Sequence, residues 1–440
     1  MSFSEWKRWM AGLPWSCKWF VIFILIRPIT DNFYSLKEIS PIYSPLYIMG
    51  VLTPVFILLS LTSPRFPPKH PSSVDVPVGI LSMIVFGNLI FLLIFHFSLD
   101  VLGTALKCIT PLLMFFYLRR FIRSREDLLG ILQTFLYSCI FPFCVLLYEN
   151  IFDPIAIEYL SEGRGGGSRI RGGYADVMSY AIFIIGFFMI TTYYYLLKIY
   201  EGKTKMNIRQ MLMVIGLCLL GLFSIKQVST WAVFVILLLL FLVNSLKNSK
   251  GVIFVLLMIL LVMPFFAQRI YNEQIQPLIE KEIAVANGEK DIEYALNGRV
   301  GRWEKYLAIW TQLPMYIRMA GVSTSGIEES PVMVGGGIHN DFIRIMFLSG
   351  MVGLLVYLLI LGMVYRSGRR ARTPERFLAT GAVVAIVLHS LSALPLLYAS
   401  YTYLLVSVFA FAVLPEEARY GLPAKSRANR DILPAEAGLS

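Results

Sequence analysis

The sequence predicts an all-α membrane protein, a polytopic helical bundle of about twelve spans, and three observations lead to this prediction. Of the 440 residues, 57% are hydrophobic and only 15% are charged. The mean hydropathy of +0.68 lies outside the range of soluble domains. Apolar runs of about 17–25 residues, long enough for a helix to cross the bilayer, recur along the chain. The alternating apolar and polar pattern of a β-barrel strand is absent.

The predicted spans divide the chain into four parts. An N-terminal transmembrane bundle of about nine spans occupies residues 1–267. A large polar loop follows over 268–339, then C-terminal transmembrane helices over 340–414 and a tail over 415–440 that is predicted to be cytoplasmic. The predicted spans lie near 18–30, 43–62, 76–96, 101–118, 128–148, 176–197, 210–225, 229–246, 251–267, 340–365, 377–397 and 399–414.

Positive charge marks one side of the predicted bundle. Lysines and arginines cluster after the fourth, sixth, eighth and tenth spans, which is the bias of cytoplasmic loops. Because the number of spans is even, both termini join this side. The net charge of +11 is therefore a positive-inside signature and gives no reason to predict a nucleic-acid partner. The clusters are Arg119, Arg120, Arg123 and Arg125; Lys198, Lys203, Lys205 and Arg209; Lys247 and Lys250; and Arg366, Arg369, Arg370, Arg372 and Arg376.

The long loop, Gln268 to His339, is where we expect the function, because loops of this length seldom serve only as connectors. Within it, Arg299 to Gln312 is predicted to be an amphipathic helix that ends before Pro314 and Gly321. This helix would lie along the membrane surface or pack on the bundle as a lid, and the two interpretations are compatible. Its apolar stripe is Val300, Trp303, Leu307 and Trp310, and an adjoining face holds Arg299, Arg302 and Tyr306.

Several arginines fall on or near the predicted outer face. Ordinary surface charge would explain any one of them, whereas together they would form an anion site, because a guanidinium donates two parallel hydrogen bonds and stays charged. The glycine-rich run 165–173 lacks the preceding strand of a phosphate-binding loop. It is predicted to be a flexible linker that presents two of the arginines at the mouth of the sixth span. The arginines are Arg164, Arg169, Arg171, Arg299, Arg302, Arg318 and Arg344.

His339 is the strongest single candidate for a catalytic residue. A lone histidine beside a span is more often structural than catalytic. Here three glycines precede it and Asn340 and Asp341 follow, which predicts a water-accessible ring at the start of a span. Asn340 and Arg344 are four residues apart, share a helix face and can join His339 in one pocket. His389 lies within an apolar span, and an interhelical hydrogen bond is its expected role.

The sequence also lacks the motifs of several enzyme classes. No Walker loop, HExxH, GxSxG or dinucleotide fingerprint is present, and no outward-facing Asp-x-Asp pair could hold a metal. The five cysteines, all within or beside predicted spans, give neither a disulfide framework nor a zinc spacing. These absences narrow the chemistry that the sequence can support.

A set of short motifs resembles the signature of the O-antigen ligase and O-antigen/exopolysaccharide polymerase superfamily of bacterial membrane glycosyltransferases. Residues 168–180 are similar to its upstream arginine site. Ser224-Ile225-Lys226 is similar to its serine–arginine turn, with a lysine that keeps the charge and loses the bidentate fork. In span count and loop placement the resemblance covers nearly the whole chain. The signature motifs are Asn297-Gly298-Arg299, Trp303, Pro314, Gly321, His339-Asn340 and Gly350-Met351-Val352-Gly353.

The resemblance implies a metal-independent, inverting glycosyltransferase with a bundle like that of the C-type membrane glycosyltransferases. Such an enzyme takes a glycan from undecaprenyl diphosphate at the periplasmic face of the inner membrane. His339, as general base or acceptor-orienting group, and Arg299 would be catalytic. Flippase and chain-length regulator proteins would be partners. The donor diphosphate would be bound by Arg171, Arg169, Arg302, Lys226 and Arg344, with Asn340 and Trp303 in support.

Two alternatives remain open beside a polymerase, which we favour. A ligase would differ in its acceptor, the lipid A core in place of another lipid-linked repeat unit. A transporter or flippase of lipid-linked glycans would also have many spans. It is disfavoured because the predicted intramembrane charge is sparse, with Lys107 as the main residue deep in a span.

Overall fold

The computed structural model describes residues 1–33, 35–40, 43–64, 66, 70–152, 157–159, 168–170, 174, 177–202, 208–245, 268, 271–272, 276–289, 295–321 and 339–421. The helices of the first half are α1 (Phe3–Gly12), α2 (Trp15–Asn32), α3 (Leu36–Ile39), α4 (Pro45–Thr62), α5 (Asp75–Phe95), α6 (Leu99–Phe121), α7 (Arg125–Ser138), α8 (Ile140–Ile151), α9 (Val177–Tyr200), α10 (Ile208–Ile225) and α11 (Val228–Ser245). Those of the second half are α12 (Gln276–Ala286), α13 (Ala295–Gln312), α14 (Met315–Ala320), α15 (Asp341–Arg369), α16 (Thr373–Ser390), α17 (Ala399–Ala412) and α18 (Glu416–Tyr420).

Seven helices among these residues are long and apolar enough to cross a membrane, which confirms the helical membrane class. Two shorter apolar helices correspond to α10 and α17. The predicted spans near 18–30 and 377–397 overlap α2 and α16, which are not among the seven, and α16 ends at Ser390. The predicted span at 251–267 lies outside the described residues. The count of twelve spans stays a prediction. The seven helices are Pro45–Thr62, Asp75–Phe95, Val101–Phe121, Arg125–Ile151, Val177–Tyr200, Val228–Ser245 and Asp341–Arg369.

The centre of the bundle is formed by α9 and α17. Every residue of α17 after its first is buried, and so is most of α9, the pattern of a helix that is apolar all round and surrounded by others. Helix α17 packs against α6, α7 and α9, while α16 packs against α9, α11 and α15. The C-terminal helices therefore share one core with the N-terminal ones.

One end of the bundle, which we call the basic end, is held together by arginines. Arg125 at the start of α7 pairs with Glu201 after α9 (3.0 Å) and with Glu375 in α16 (2.8 Å). Arg119 near the end of α6 is fully buried and donates to Asp75 Oδ1 (3.2 Å) and to the carbonyl of Ala410 in α17 (3.3 Å). Both arginines belong to the cluster after the fourth predicted span, which is predicted to face the cytoplasm, and their contacts join α6, α7, α16 and α17 at this end.

The opposite end, which we call the loop end, carries the turns between α10 and α11 and between α16 and α17, and the start of α15. Ser224 Oγ in α10 donates to Asn150 Oδ1 in α8 (3.1 Å). The amide of Leu396 donates to Asp341 Oδ2 (3.1 Å). The long polar loop also joins the bundle here, because α15 begins at its end.

Helix α14 enters the bundle where α15 is kinked. Gly350 inside α15 has φ 67° and ψ −176°, a conformation that only glycine adopts readily. Asn88 Nδ2 in α5 donates to the carbonyls of Ala320 (2.6 Å) and Leu348 (2.8 Å). An added Cβ on Gly321 would lie 2.7 Å from the Leu348 oxygen. The end of α14, the kink and Asn88 therefore form one close-packed junction that anchors the long loop.

A short β-ribbon lies between helices α8 and α9. Ile157–Tyr159 (β1) pairs antiparallel with Ser168–Ile170 (β2), in a register that sets Glu158 opposite Arg169. The prediction that the whole glycine-rich run is a flexible linker is therefore wrong for 168–170. Backbone pairing with a segment about ten residues upstream orders this part. A short local motif carries no information about such a pairing partner.

Candidate functional site

A cavity of about 400 Å³ opens among α2, α4, α6, α9 and α17 at the loop end. The residues that line it come from the second half of α2 and from the first half of the other helices, up to the midpoint of α6. The cavity therefore occupies the half of the bundle that adjoins the long polar loop. Its volume lies in the range of about 300–1,000 Å³ that is typical of small-molecule sites.

An ion pair within α2 forms part of the cavity wall. Arg27 Nε lies 2.6 Å from Asp31 Oδ1, one helical turn further on, and the two side chains are 8% and 14% exposed. Lys107 in α6 lies on the same wall. Taking charges out of water is costly unless other polar groups stabilise them. Such charge at membrane depth is by default a functional candidate.

Hydroxyl groups and aromatic rings make up much of the remaining wall. Thr53 Oγ1 in α4 hydrogen-bonds Tyr403 OH in α17 (2.8 Å). Ser400 is 6% exposed, and its hydroxyl has no hydrogen-bond partner among the described residues. Tyr47 and Tyr398 also line the cavity. The wall therefore combines charged, hydroxyl and aromatic groups.

His339 lies on this wall, directly before α15. Its φ of 42° is in the left-handed region, which non-glycine residues seldom adopt and which is concentrated at functional sites. Asn340 follows as the N-cap of α15, and its side chain accepts from the amides of Phe342 (3.0 Å) and Ile343 (3.1 Å). The cap therefore fixes the start of the helix, and with it the backbone next to His339. The supporting role of Asn340 in catalysis stays a prediction.

Arg344 is predicted to bind the donor diphosphate, but its contacts are those of a residue buried inside the protein. It is 5% exposed; its Nε lies 2.6 Å from Asp341 Oδ1, and its Nη1 lies 3.2 Å from Cys108 Sγ. It lines a second, largely apolar cavity of about 90 Å³ and is not on the wall that holds His339. These contacts favour a positioning role, in which Arg344 holds Asp341 where that carboxylate accepts from Leu396.

Lys226 lies in the turn between α10 and α11, at the loop end. Its φ is 46°, and His339 and Lys226 are the two non-glycine residues with positive φ in the described part of the chain. The turn is tied to its neighbours through Ser224 and through Gln227, whose Nε2 lies 3.5 Å from Met178 Sδ in α9. The structure does not bring Lys226 onto the wall of the 400 Å³ cavity.

Arg299, Arg302 and Trp303 lie on α13, which confirms the predicted helix and extends it to Ala295. The face that packs on the bundle overlaps the predicted stripe only in part, because Trp310 packs against the core and Tyr306 of the adjoining face does so too. Tyr306 is buried, with its ring 6.2 Å from that of Phe347 in α15, whereas Leu307 is 41% exposed. Tyr306 shares a helix face with Arg299 and Arg302. This contact therefore turns the arginine-bearing face towards α15, as the lid interpretation expects.

Two predicted residues cannot be placed in the site. Arg171 lies outside the described residues, and of Arg169 only the backbone, in β2, is described. β2 packs against α10. Their roles as donor ligands stay predictions.

Several polar residues of the bundle were missed by sequence reasoning. Arg27 and Asp31 form an i,i+4 pair of opposite charge at the end of a predicted span, a signal that could have been found. Together with the buried pair of Asp341 and Arg344, they make intramembrane charge less sparse than predicted. Asn88 and Ser400 carry no such signal, because single small polar residues within spans are common.

His389 has the structural role predicted for it. It is fully buried, and its Nδ1 lies 2.8 Å from Tyr401 OH in the adjacent α17. Within the described part of the chain, no group of three or more His, Cys, Asp or Glu side chains could hold a metal ion. The sequence matches no protein-family model and no curated protein.

Proposed function

We propose that this protein is a membrane glycosyltransferase that transfers or polymerises glycan units carried on undecaprenyl diphosphate, with polymerisation as the favoured reaction. The observation that carries the proposal is the position of His339 on the wall of a polar cavity at the loop end of the bundle. A histidine there has the chemistry of a general base near neutral pH. The donor brings its own activated leaving group, so no nucleotide-binding domain is required.

The proposed step is a single displacement. A hydroxyl of the acceptor attacks the anomeric carbon of the donor glycan, and His339 accepts the hydroxyl's proton. The bond between that carbon and the diphosphate oxygen breaks, and undecaprenyl diphosphate leaves with the electron pair. Arg299 and Arg302, on the face of α13 turned towards α15, would stabilise the developing negative charge in place of a metal. The product is an inverted glycosidic bond.

In this proposal the chain crosses the inner membrane about twelve times, with both termini and the basic end in the cytoplasm. The loop end and its cavity then face the periplasm. The arginines gathered at the basic end support this orientation, because they coincide with the positive-inside clusters. The acceptor is another lipid-linked repeat unit for a polymerase or the lipid A core for a ligase. Chain-length regulators and a flippase would be partners.

The intramembrane charge gives the transporter alternative some weight, but the shape of the cavity weighs against it. A transport path must continue to the other side, whereas the lining residues stop near the middle of the bundle. The arginines at the basic end are engaged with carboxylates and carbonyls. The transferase proposal requires access from one side only.

The decisive experiment reconstitutes the purified protein in liposomes with an undecaprenyl-diphosphate-linked oligosaccharide. Elongated glycan on the lipid carrier supports a polymerase. Transfer to added lipid A core supports a ligase. Movement of the lipid-linked glycan between leaflets without a new glycosidic bond would overturn the proposal in favour of a transporter. Protein carrying His339→Ala is the matched control and should form no polymer.

A further inference from the structure

We propose that the 400 Å³ cavity binds an uncharged sugar ring, and that the ion pair of Arg27 and Asp31 recognises its hydroxyl groups. This inference rests on the proposed function and gives that site a ligand class. The sequence-based candidates for the diphosphate are loop arginines and Lys226, and none of the described ones lines the cavity. The residues that line the cavity are therefore different from those expected to bind the diphosphate.

The cavity wall carries the charged side chains of Arg27, Asp31 and Lys107, and Lys107, like the pair, is engaged within the protein. The two charged groups of the pair are 2.6 Å apart, so the guanidinium is compensated within the protein and the pair as a whole is neutral. An anionic ligand would compete with Asp31 for Arg27 and would also be repelled by that carboxylate. A polyhydroxylated ring meets no such conflict, because each hydroxyl both donates and accepts.

Two buried polar groups on the cavity wall lack hydrogen-bond partners among the described residues. Arg27 is 7% exposed, and its Nη1 is one of these groups. The other is Ser400 Oγ in α17, which lines the same cavity. Leaving a buried donor unsatisfied costs about 1–3 kcal/mol. Two such groups facing one cavity indicate a polar ligand that completes their hydrogen bonds.

The shape of the cavity also suits a sugar. Tyr47 and Tyr398 line it, and so do Gly50 and Gly103, which have no side chain to fill the space between helices α4 and α6. A pocket with aromatic walls and a few fixed polar groups suits a ligand that has both apolar faces and hydroxyl edges. A sugar ring has this combination, whereas a diphosphate has no apolar face. With His339 on the same wall, the ring would lie beside the proposed base.

The test measures binding and does not depend on turnover. Thermal unfolding of the purified full-length protein in detergent is followed with a panel of neutral methyl glycosides and, separately, with inorganic pyrophosphate. At least one glycoside should raise the unfolding temperature of the wild type. Asp31→Asn removes a charged acceptor and should weaken glycoside binding by about 10- to 150-fold. The same variant leaves Arg27 uncompensated and should strengthen pyrophosphate binding.

Ser400→Ala is the second variant, because Asp31→Asn leaves a buried charge unpaired and could fail to fold. Removal of a hydroxyl without a partner should not destabilise the protein, and it should weaken glycoside binding by about 2- to 10-fold. Glu201→Gln, which removes a carboxylate from the Arg125 pair at the basic end, is the matched control and should bind glycosides normally.

Two results would overturn the inference. One is protection of the wild type by pyrophosphate and by none of the glycosides, which would make the cavity an anion site. The other is glycoside binding that is unaffected in both variants. The outcome is separate from that of the proposed function. Glycoside binding that depends on Asp31 and Ser400, in a protein that forms no new glycosidic bond in liposomes, would keep the sugar site and refute the transferase.

Discussion

Gly350→Ala tests the junction that anchors the long loop to the bundle. A Cβ at this position would lie 2.1 Å from the carbonyl oxygen of Met319 and 2.6 Å from the amide nitrogen of Ala320. Neither atom is free to move, because both belong to the backbone of α14, whose end Asn88 binds. The φ of 67° with ψ of −176° adds about 1–3 kcal/mol of strain for alanine. Overpacking adds about 1–3 kcal/mol.

The expected destabilisation is therefore about 2–6 kcal/mol, unless α14 leaves its place and relieves part of it. The assay is thermal unfolding in detergent, combined with thiol labelling of Ile317→Cys as a local reporter. Ile317 in α14 is 4% exposed, so the introduced cysteine should be protected in the parent and labelled in the Gly350→Ala background. Cys144→Ser is included throughout, because Cys144 is the exposed native cysteine among the described residues.

Gly362→Ala is the matched control in the same helix. Its added Cβ would meet nothing within 4 Å, and alanine in an unstrained helix position stabilises by about 0.4–1 kcal/mol. The two substitutions should therefore act in opposite directions. Equal unfolding temperatures for both variants, with Ile317→Cys still protected, would refute the description of this junction.

Three further predictions concern the site and the topology. His339→Ala should lower the rate of polymer formation by a factor of about 10²–10⁴ with the protein still folded. His389→Ala loses the hydrogen bond to Tyr401 in α17 and should lower the unfolding temperature more than the activity. Normal polymerisation by His339→Ala would refute the role of His339 as general base. Arg299→Ala should lower liposome activity by about 10-fold or more, as the loss of a charge-assisted hydrogen bond costs about 1.5–3 kcal/mol, with partial rescue by Arg299→Lys; full activity in both would make Arg299 a surface residue. Cysteines at Asn287 and Ser325 should react with a membrane-impermeant thiol reagent in intact spheroplasts, and protection of both until lysis would reverse the topology.

Sequence reasoning predicted part of the local structure, whereas the roles that it gives to the site residues stay predictions. His339 and Lys226 were singled out from motif and loop position, and the structure gives both the left-handed backbone conformation. Helix α13 and the interhelical role of His389 were also predicted. Arg344 was assigned to the diphosphate from its helix face alone. The structure pairs it with Asp341, because the same face that points inward also brings it against a buried carboxylate.

By itself the sequence determined the helical membrane class and the apolar segments. These follow from local composition, since the bilayer requires long apolar helices. Only the tertiary structure decided which distant residues meet. Asn88 contacts Ala320 across 232 positions of sequence, and Thr53 contacts Tyr403 across 350. Such contacts depend on how helices are arranged around α9 and α17, and periodicity within a single helix carries no information about its neighbours.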